Sequence, residues 1–242
     1  MRIAPWLAFL HKWIGVIIGI QIVLWMTGGL VMSVFPIEHV RGEHNIREQA
    51  PVTLMAENFP VSLQTIIAEH APDGVRNVTA KTILGRPVLD LERATGGHRL
   101  IDAATGDELT IDEGVVRALA RADFAGDAPI AEIGLISETN LEYRGPVPVW
   151  RVQFSDDEDT RLYFLPETGR LVARRNETWR LYDFFWMLHI MDYEDRENFN
   201  NPLVITAAGF ALFTVLMGVG LMFFRLRFKD WRVMFARTPT RD

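Results

Sequence analysis

Two long stretches of the chain carry no charged side chain, and the region between them is built from shorter polar and apolar segments. Trp13–Ile37 is a run of 25 residues without Asp, Glu, Lys or Arg, and Pro202–Phe224 is a run of 23. At ~1.5 Å per residue, a helix of either length can cross a ~30 Å hydrocarbon core. Lipid offers no partners to backbone N–H and C=O groups, so a spanning segment must be helical. We therefore predict two transmembrane helices, roughly Pro5–Phe35 and Pro202–Phe228, the first of them an uncleaved anchor.

Small residues recur along both predicted helices. Gly15 and Gly19 are four positions apart in the first helix, and Gly209, Gly218 and Gly220 lie in the second. Small side chains let helix backbones approach closely in lipid. This pattern predicts that the two helices pair with each other, or that two copies of the protein form a homodimer.

The intervening region repeats one arrangement twice. Each repeat begins with a helical pattern, Val61–His70 in the first and Asp112–Phe124 in the second, and Asp112 is a plausible N-cap. Each continues with strand-like runs and ends in a Thr-Gly turn. Neither repeat has the mass for a large core, so we expect the two to pack together. The predicted strands are Val75–Leu84, Pro87–Arg93 and His98–Ala103, then Ile130–Glu138, Val147–Ser155, Thr160–Leu165 and Leu171–Arg174.

An aromatic segment joins the second repeat to the second apolar run. In Glu177–Asn201, aromatic residues and His189 recur at intervals of three and four, which predicts one face of an interfacial helix, followed by an acidic loop. The predicted fold class is therefore an α+β domain of two helix-plus-meander repeats between two transmembrane α-helices. The predicted segments are 1–37 (N-terminus and first helix), 38–110 and 111–176 (the two repeats), 177–201 (interfacial helix and loop), 202–224 (second helix) and 225–242 (basic tail).

Charge predicts the orientation of the chain. Residues 1–12 carry Arg2 and Lys12 and no acid, and the tail 225–242 carries six basic residues against two acids. Positively charged flanks stay in the cytoplasm. The remaining 17 basic and 29 acidic residues give the central region a net charge of −12, which argues against binding to nucleic acid. The absence of cysteine excludes disulfides, thiolate metal sites and cysteine nucleophiles.

The sequence resembles the PepSY-associated transmembrane proteins. The resemblance rests on Leu10-His11-Lys12-Trp13-Ile14-Gly15, on Thr27-Gly28-Gly29, and on the two repeats ending in Thr105-Gly106 and Thr168-Gly169. It implies PepSY folds for both repeats and a bacterial inner-membrane location, with both termini cytoplasmic and the central domain periplasmic. Related siderophore-iron reductases hold b-type haem between histidines of four membrane helices. This chain has only two such helices, so the resemblance does not imply a complete two-haem core.

Four histidines are candidate haem ligands, because haem b needs imidazoles facing an apolar slot. His39 and His44 follow the outer end of the first helix, and His189 lies on the aromatic helix on the same side. We predict that His189 with His44 or His39 holds one haem b, or alternatively that His189 is a packed residue. His11, at the inner end, is an interfacial polar anchor or pairs with a histidine of another chain. His70 and His98 are expected to face solvent.

The sequence contains no phosphate-binding loop, metalloprotease motif or nucleophile elbow, so it predicts no catalytic residues and no enzyme activity for this chain alone. The four acids Asp156–Asp159 are expected to form a solvated hairpin tip. The alternative is that their oxygens attract a divalent cation such as Ca²⁺, but no metal ligands are predicted. The predicted function is an accessory subunit for iron uptake or respiratory electron transfer, whose partners are the lipid bilayer and membrane proteins of a reductase or respiratory complex. The alternatives are a non-redox scaffold or structural subunit and a regulator of an exported peptidase.

Overall fold

The structure is a computed structural model that describes residues Ile3–Arg225. It is an α+β chain in which two long apolar terminal helices flank a central region with two small antiparallel sheets and further helices. The chain divides into a terminal unit, Met1–Val34 with Asp183–Asp242, and a central unit, Phe35–Tyr182. The predicted basic tail lies outside the described residues, apart from Arg225. The helices are α1 (Ile3–Val34), α2 (Ile37–Val40), α3 (Leu63–His70), α4 (Glu113–Asp123), α5 (Glu177–Ile190) and α6 (Pro202–Arg225).

The two terminal helices are long and apolar enough to span a membrane. In the most apolar windows of Pro5–Val34 and Pro202–Phe223, only 11% and 17% of the residues are buried. Ile17 and Phe223 are 77% and 81% exposed. A core helix of a water-soluble domain buries its apolar residues, whereas these helices present theirs outward.

The helices α1 and α6 pack against each other in opposite directions. His11 contacts Thr214, while Trp25 and Val204, nearer the other ends, line one groove. A Cβ atom at Gly15 would lie 3.9 Å from Thr214 Cγ2. Close approach at a small residue is what the glycine pattern predicts, and it confirms the pairing of the two helices within the chain. Gly19, Gly209 and Gly220 meet nothing within 4 Å, so only part of that pattern lies in the interface.

The central unit contains two meanders. Strands β1, β2 and β3 form a sheet in that order, and β4, β5, β6 and β7 form a second sheet in that order. Every pair is antiparallel. The predicted helix-then-meander arrangement of both repeats is confirmed, with a fourth strand in the second. The strands are β1 (Val75–Ile83), β2 (Arg86–Arg93), β3 (His98–Asp102), β4 (Ile130–Ile136), β5 (Val149–Phe154), β6 (Arg161–Phe164) and β7 (Leu171–Arg175).

Besides a smaller buried cluster within the first repeat, side chains of both repeats share a hydrophobic core, as expected for two repeats of this size. Its fully buried members come from the first sheet, from α4 and from the second sheet; among them are Val88, Leu100, Val116, Val152 and Leu162. The predicted N-cap is also confirmed, because Asp112 Oδ1 accepts a hydrogen bond of 2.9 Å from Val115 N.

Candidate functional site

An apolar groove beside His189 is the candidate cofactor site of the terminal unit. It encloses about 670 Å³ between α1, the last turn of α5 and the start of α6. Its lining is almost wholly apolar: Trp25, Met26, Gly29, Leu30, Ser33, His189, Ile190, Phe199 and Val204. The groove thus has the character of a site for a flat apolar ligand, with a single imidazole among its walls.

The end of α5 is held by side chains that satisfy its terminal carbonyls. The last turn of a helix leaves four carbonyl groups without intrahelical donors. Gln21 Nε2 donates to Leu188 O at 3.4 Å, Trp25 Nε1 to His189 O at 2.8 Å, and Asn201 Nδ2 to Ile190 O at 2.9 Å. These bonds fix the position of His189 against α1. They also account for Gln21, a polar residue within the first apolar run, as an interhelical hydrogen-bond donor.

Gly28 permits the close approach of α5 to α1. A Cβ atom there would lie 3.4 Å from Phe185 O and 3.8 Å from both Cβ and Nδ1 of His189. Gly28 belongs to the Thr-Gly-Gly motif that the sequence singles out, and its role here is to bring the imidazole next to the α1 backbone.

One ring nitrogen of His189 is buried and unpaired. Its Nδ1 has no hydrogen-bond partner among the described residues. The Trp25 ring is its aromatic neighbour, with centroids 6.5 Å apart at 51°. A buried polar atom without a partner costs about 1–3 kcal/mol and calls for an explanation such as a bound group.

His11 is separate from this groove. Its Nδ1 donates to Thr214 O at 3.0 Å, and its Cε1 lies 3.2 Å from the position of a Cβ at Gly218. Fourteen residues separate His11 from Trp25 on α1, which is ~20 Å of helix. His11 therefore joins α1 to α6 at its own level, and its half-buried ring is an interhelical contact rather than a free anchor.

His39 and His44 lie in the central unit, where they come together. Their rings are stacked with centroids 4.1 Å apart and an interplanar angle of 19°. His44 Nε2 lies 3.0 and 3.1 Å from the two carboxylate oxygens of Glu158. The spacing of the histidines hints at this pair, but no feature of the sequence indicates Glu158 as its partner.

The four-acid run does not form a free hairpin tip. Asp156 accepts hydrogen bonds from the backbone and hydroxyl of Thr160, and Asp159 Oδ2 lies 2.7 Å from Arg161 Nη2. Asp159 has a positive φ of 47°. The acids therefore shape a tight turn in which Glu158 faces His44.

A half-buried acid, Glu142, contacts two neighbouring arginines. Glu142 Oε1 lies 2.7 Å from both Arg161 Nη1 and Arg180 Nε. Burial raises the pKa of Glu142, but the hydrogen bonds and charges of Arg180 and Arg161 outweigh it, so the pKa lies below its ordinary value. Burial and then the charge of Glu142 raise the pKa of Tyr163 to about 12. This cluster holds the first turns of α5, which carry Arg180, against the β5–β6 turn.

A second cavity of about 620 Å³ lies within the central unit, between the first sheet and the β6–β7 turn. On its wall Asp90 is 2.6 Å from Lys81 Nζ and 2.7 Å from His98 Nδ1. His98 is thus partly enclosed and hydrogen-bonded to Asp90, and the expectation that it simply faces solvent is wrong. His70 is likewise half-buried, with Nε2 donating to Gly106 O at 2.8 Å.

The candidate ligands thus belong to two different units. His189 and His11 belong to the terminal unit and His39 and His44 to the central unit. Comparison of the chain with family models, curated proteins and solved structures finds no match.

Proposed function

We propose that this protein is a membrane-anchored accessory subunit of an iron-uptake or electron-transfer system, with one b-type haem beside His189. The observation that carries the proposal is that His189, which lines an apolar groove, has a buried Nδ1 without a hydrogen-bond partner among the described residues. The resemblance to PepSY-associated transmembrane proteins supports it, because haem-carrying relatives use histidines at membrane helices.

The terminal helices support the membrane anchor. Their apolar side chains point outward along both lengths, which is costly in water and favourable in hydrocarbon. The antiparallel contacts set Pro202, the first residue of α6, near the level of Thr27 on α1. If the bilayer spans the length of α6, the last turns of α1 and the His189 groove therefore lie near its outer surface. With the basic flanks inside, the acidic central domain is periplasmic.

The residues at the groove fit haem b in kind. His189 supplies an imidazole, and the thioether of Met26, which lines the same groove, is the other side-chain type that pairs with histidine at haem iron. Leu30, Ile190 and Val204 provide the apolar walls. Bound haem would supply one-electron redox chemistry. His39 and His44 belong to the central unit, so the role of either one as the second haem ligand stays a prediction from the sequence.

An absorption spectrum of the full chain, purified from its own host in mild detergent, tests the haem. We expect a Soret band that shifts on reduction and is lost in His189→Gln, which keeps a polar side chain of similar size. His98→Gln, in the central unit, is the matched control and retains the band. A wild-type protein without a Soret band in either redox state refutes the haem proposal.

The membrane orientation is tested separately. The chain has no cysteine. In the Asp157→Cys variant, a thiol reagent therefore reports the exposure of that position alone. We expect a membrane-impermeant maleimide to label it in intact spheroplasts and to label Thr240→Cys only after permeabilisation. The reverse pattern contradicts the proposed orientation without bearing on haem.

A non-redox scaffold is the second candidate. The exposed apolar faces of α1 and α6 and the 620 Å³ cavity of the central unit offer surfaces to membrane partners and to an exported protein. Partners that co-purify in mild detergent separate the two. A cytochrome or reductase favours the first candidate, a peptidase favours regulation of an exported enzyme, and dependence of a larger complex on this chain favours a structural subunit.

A further inference from the structure

Two histidines and a carboxylate converge on one point of the central unit. The ligand atoms of His39, His44 and Glu158 all lie within 4.8 Å of one another. Glu158 is 114 positions from His44, so the fold itself brings them together. We propose that these three side chains bind a divalent first-row transition metal such as Zn²⁺, a site independent of the haem at His189.

The donor set selects this class of ion. Imidazole nitrogen suits zinc, copper, nickel and iron, whereas magnesium and calcium prefer oxygen ligands alone. Two histidines with one glutamate leave a fourth position for water or another ligand, as in open zinc sites. At Zn–N and Zn–O distances of about 2.0–2.2 Å, donors sit ~3.3 Å apart in a tetrahedron. His44 Nε2 and the Glu158 oxygens, 3.0 and 3.1 Å apart, are already at that spacing.

A contact between His44 and Glu158 alone does not explain the position of the His39 ring. The contact between His44 and Glu158 satisfies both of those groups, and a simple salt bridge needs nothing more. The His39 ring nevertheless lies flat against His44 at 4.1 Å, and no described residue hydrogen-bonds to it. A dication bound here would take its ligands from His44 and Glu158 and would also use a ring nitrogen of His39.

Neighbouring amides hold the ligands in place. Asn45 Nδ2 donates to Glu158 Oε2 at 3.2 Å. Asn176, which is 1% exposed, donates from Nδ2 to His39 O at 2.9 Å and lies 3.4 Å from Glu158 Oε2. One buried amide thus touches both segments of the site. Outer hydrogen bonds of this kind orient metal ligands.

The backbone of both segments is likewise fixed. Gly42, between the two histidines, has φ +67° and packs on Arg174, and the following residues Glu43–Asn45 form a 3₁₀ turn. On the other side, Glu158 O accepts from Glu177 N at 2.9 Å. The exposed Asp157 adds negative charge beside the site, which attracts a cation. The ligands are therefore pre-positioned and need only small side-chain movements to close on an ion.

Calorimetric titration of the full-length protein tests the site. The protein is purified in detergent without a histidine tag, stripped with a chelator, and titrated with ZnCl₂ and, separately, MgCl₂. We expect one Zn²⁺ per chain and no comparable Mg²⁺ binding. His39→Ala and Glu158→Gln should each weaken Zn²⁺ binding by about tenfold or more. His70→Ala, in the same unit, and His189→Gln, at the haem groove, should leave it unchanged.

The variants separate ligation from folding. His39 is exposed, so its truncation removes no core packing, and the metal-free variant should unfold at the wild-type midpoint. Saturating Zn²⁺ should raise the wild-type midpoint and should raise that of His39→Ala by less. Equal Zn²⁺ affinity in wild type and His39→Ala, or Mg²⁺ binding equal to that of Zn²⁺, overturns the proposal. Loss of the Soret band in His189→Gln with Zn²⁺ binding intact is the expected signature of two separate sites.

Discussion

Gly42 lies at the turn that sets His39 beside His44, and Gly42→Ala is the sharpest test of how that turn is built. Its φ of +67° is in the left-handed region, where a residue with a Cβ costs about 1–2 kcal/mol. The added Cβ would also lie 2.6 Å from Arg174 Cδ and 3.1 Å from Arg174 Cγ. One of the two must move.

Arg174 cannot yield cheaply. It is 9% exposed, and its guanidinium lies 2.6 Å from Asp123 Oδ2. Breaking a buried ion pair costs about 3–5 kcal/mol. We therefore expect Gly42→Ala to lower the free energy of unfolding by about 4–7 kcal/mol when the backbone and contact contributions are combined.

Gly85→Ala is the matched control. Gly85 in the β1–β2 turn has φ +78°, but a Cβ there meets nothing within 4 Å. Its cost is the backbone contribution alone, about 1–2 kcal/mol. The difference between the two variants isolates the Arg174 contact.

The assay is denaturant unfolding of the full chain in detergent, followed by tryptophan fluorescence. If Gly42→Ala costs no more than Gly85→Ala, then Arg174 moves aside freely and the turn is not fixed by the Arg174–Asp123 pair. In that case the Gly42–Arg174 contact does not contribute to the pre-positioning of His39 and His44.

Three further outcomes follow from contacts outside the proposed sites. Glu142→Gln should destabilise the protein at pH 7 and remove part of its acid sensitivity. Because the pKa of Glu142 is depressed in the folded state, its contribution to the free energy of unfolding is present above its ordinary pKa of 4.5 and is lost as the pH falls through the lower folded value. Denaturant unfolding of both proteins at pH 7 and pH 4 measures this difference. The pair Gly15→Cys with Thr214→Cys should cross-link on oxidation because of their close approach, whereas Gly19→Cys with Thr214→Cys should stay reduced on the same non-reducing gel. Asp112→Ala should lower the unfolding free energy by about 1 kcal/mol through loss of the α4 N-cap, and Asp112→Asn should recover most of that loss; equal effects of the two substitutions would contradict a capping role.

The secondary structure was largely predictable because it follows from local pattern. The period of apolar residues locates α4, and turn residues bound each strand of both meanders. The predicted Asp112–Phe124 and observed Glu113–Asp123 differ by one residue at each end. The packing of the repeats on one core follows from their size alone.

The candidate sites were predictable only in part. Histidine spacing and aromatic periodicity mark His44 and His189, since both are local features. The partner Glu158 depends on where the β5–β6 turn lies in the folded unit, and no short-range pattern encodes that position. The enclosure of His98 likewise arises from the first sheet and the β6–β7 turn lying close together. These segments are far apart in sequence, so no local pattern of residues predicts their contact.

The strand order of the central unit bears on how the chain reaches its folded state. Each strand pairs with the strand next to it in sequence, in both sheets. Such pairings close short loops at little entropic cost and favour rapid folding. If the domain is exported as an unfolded chain, the first meander can form while the second is still in transit. The shared core around Val88 and Val152 then assembles last, when the second repeat arrives.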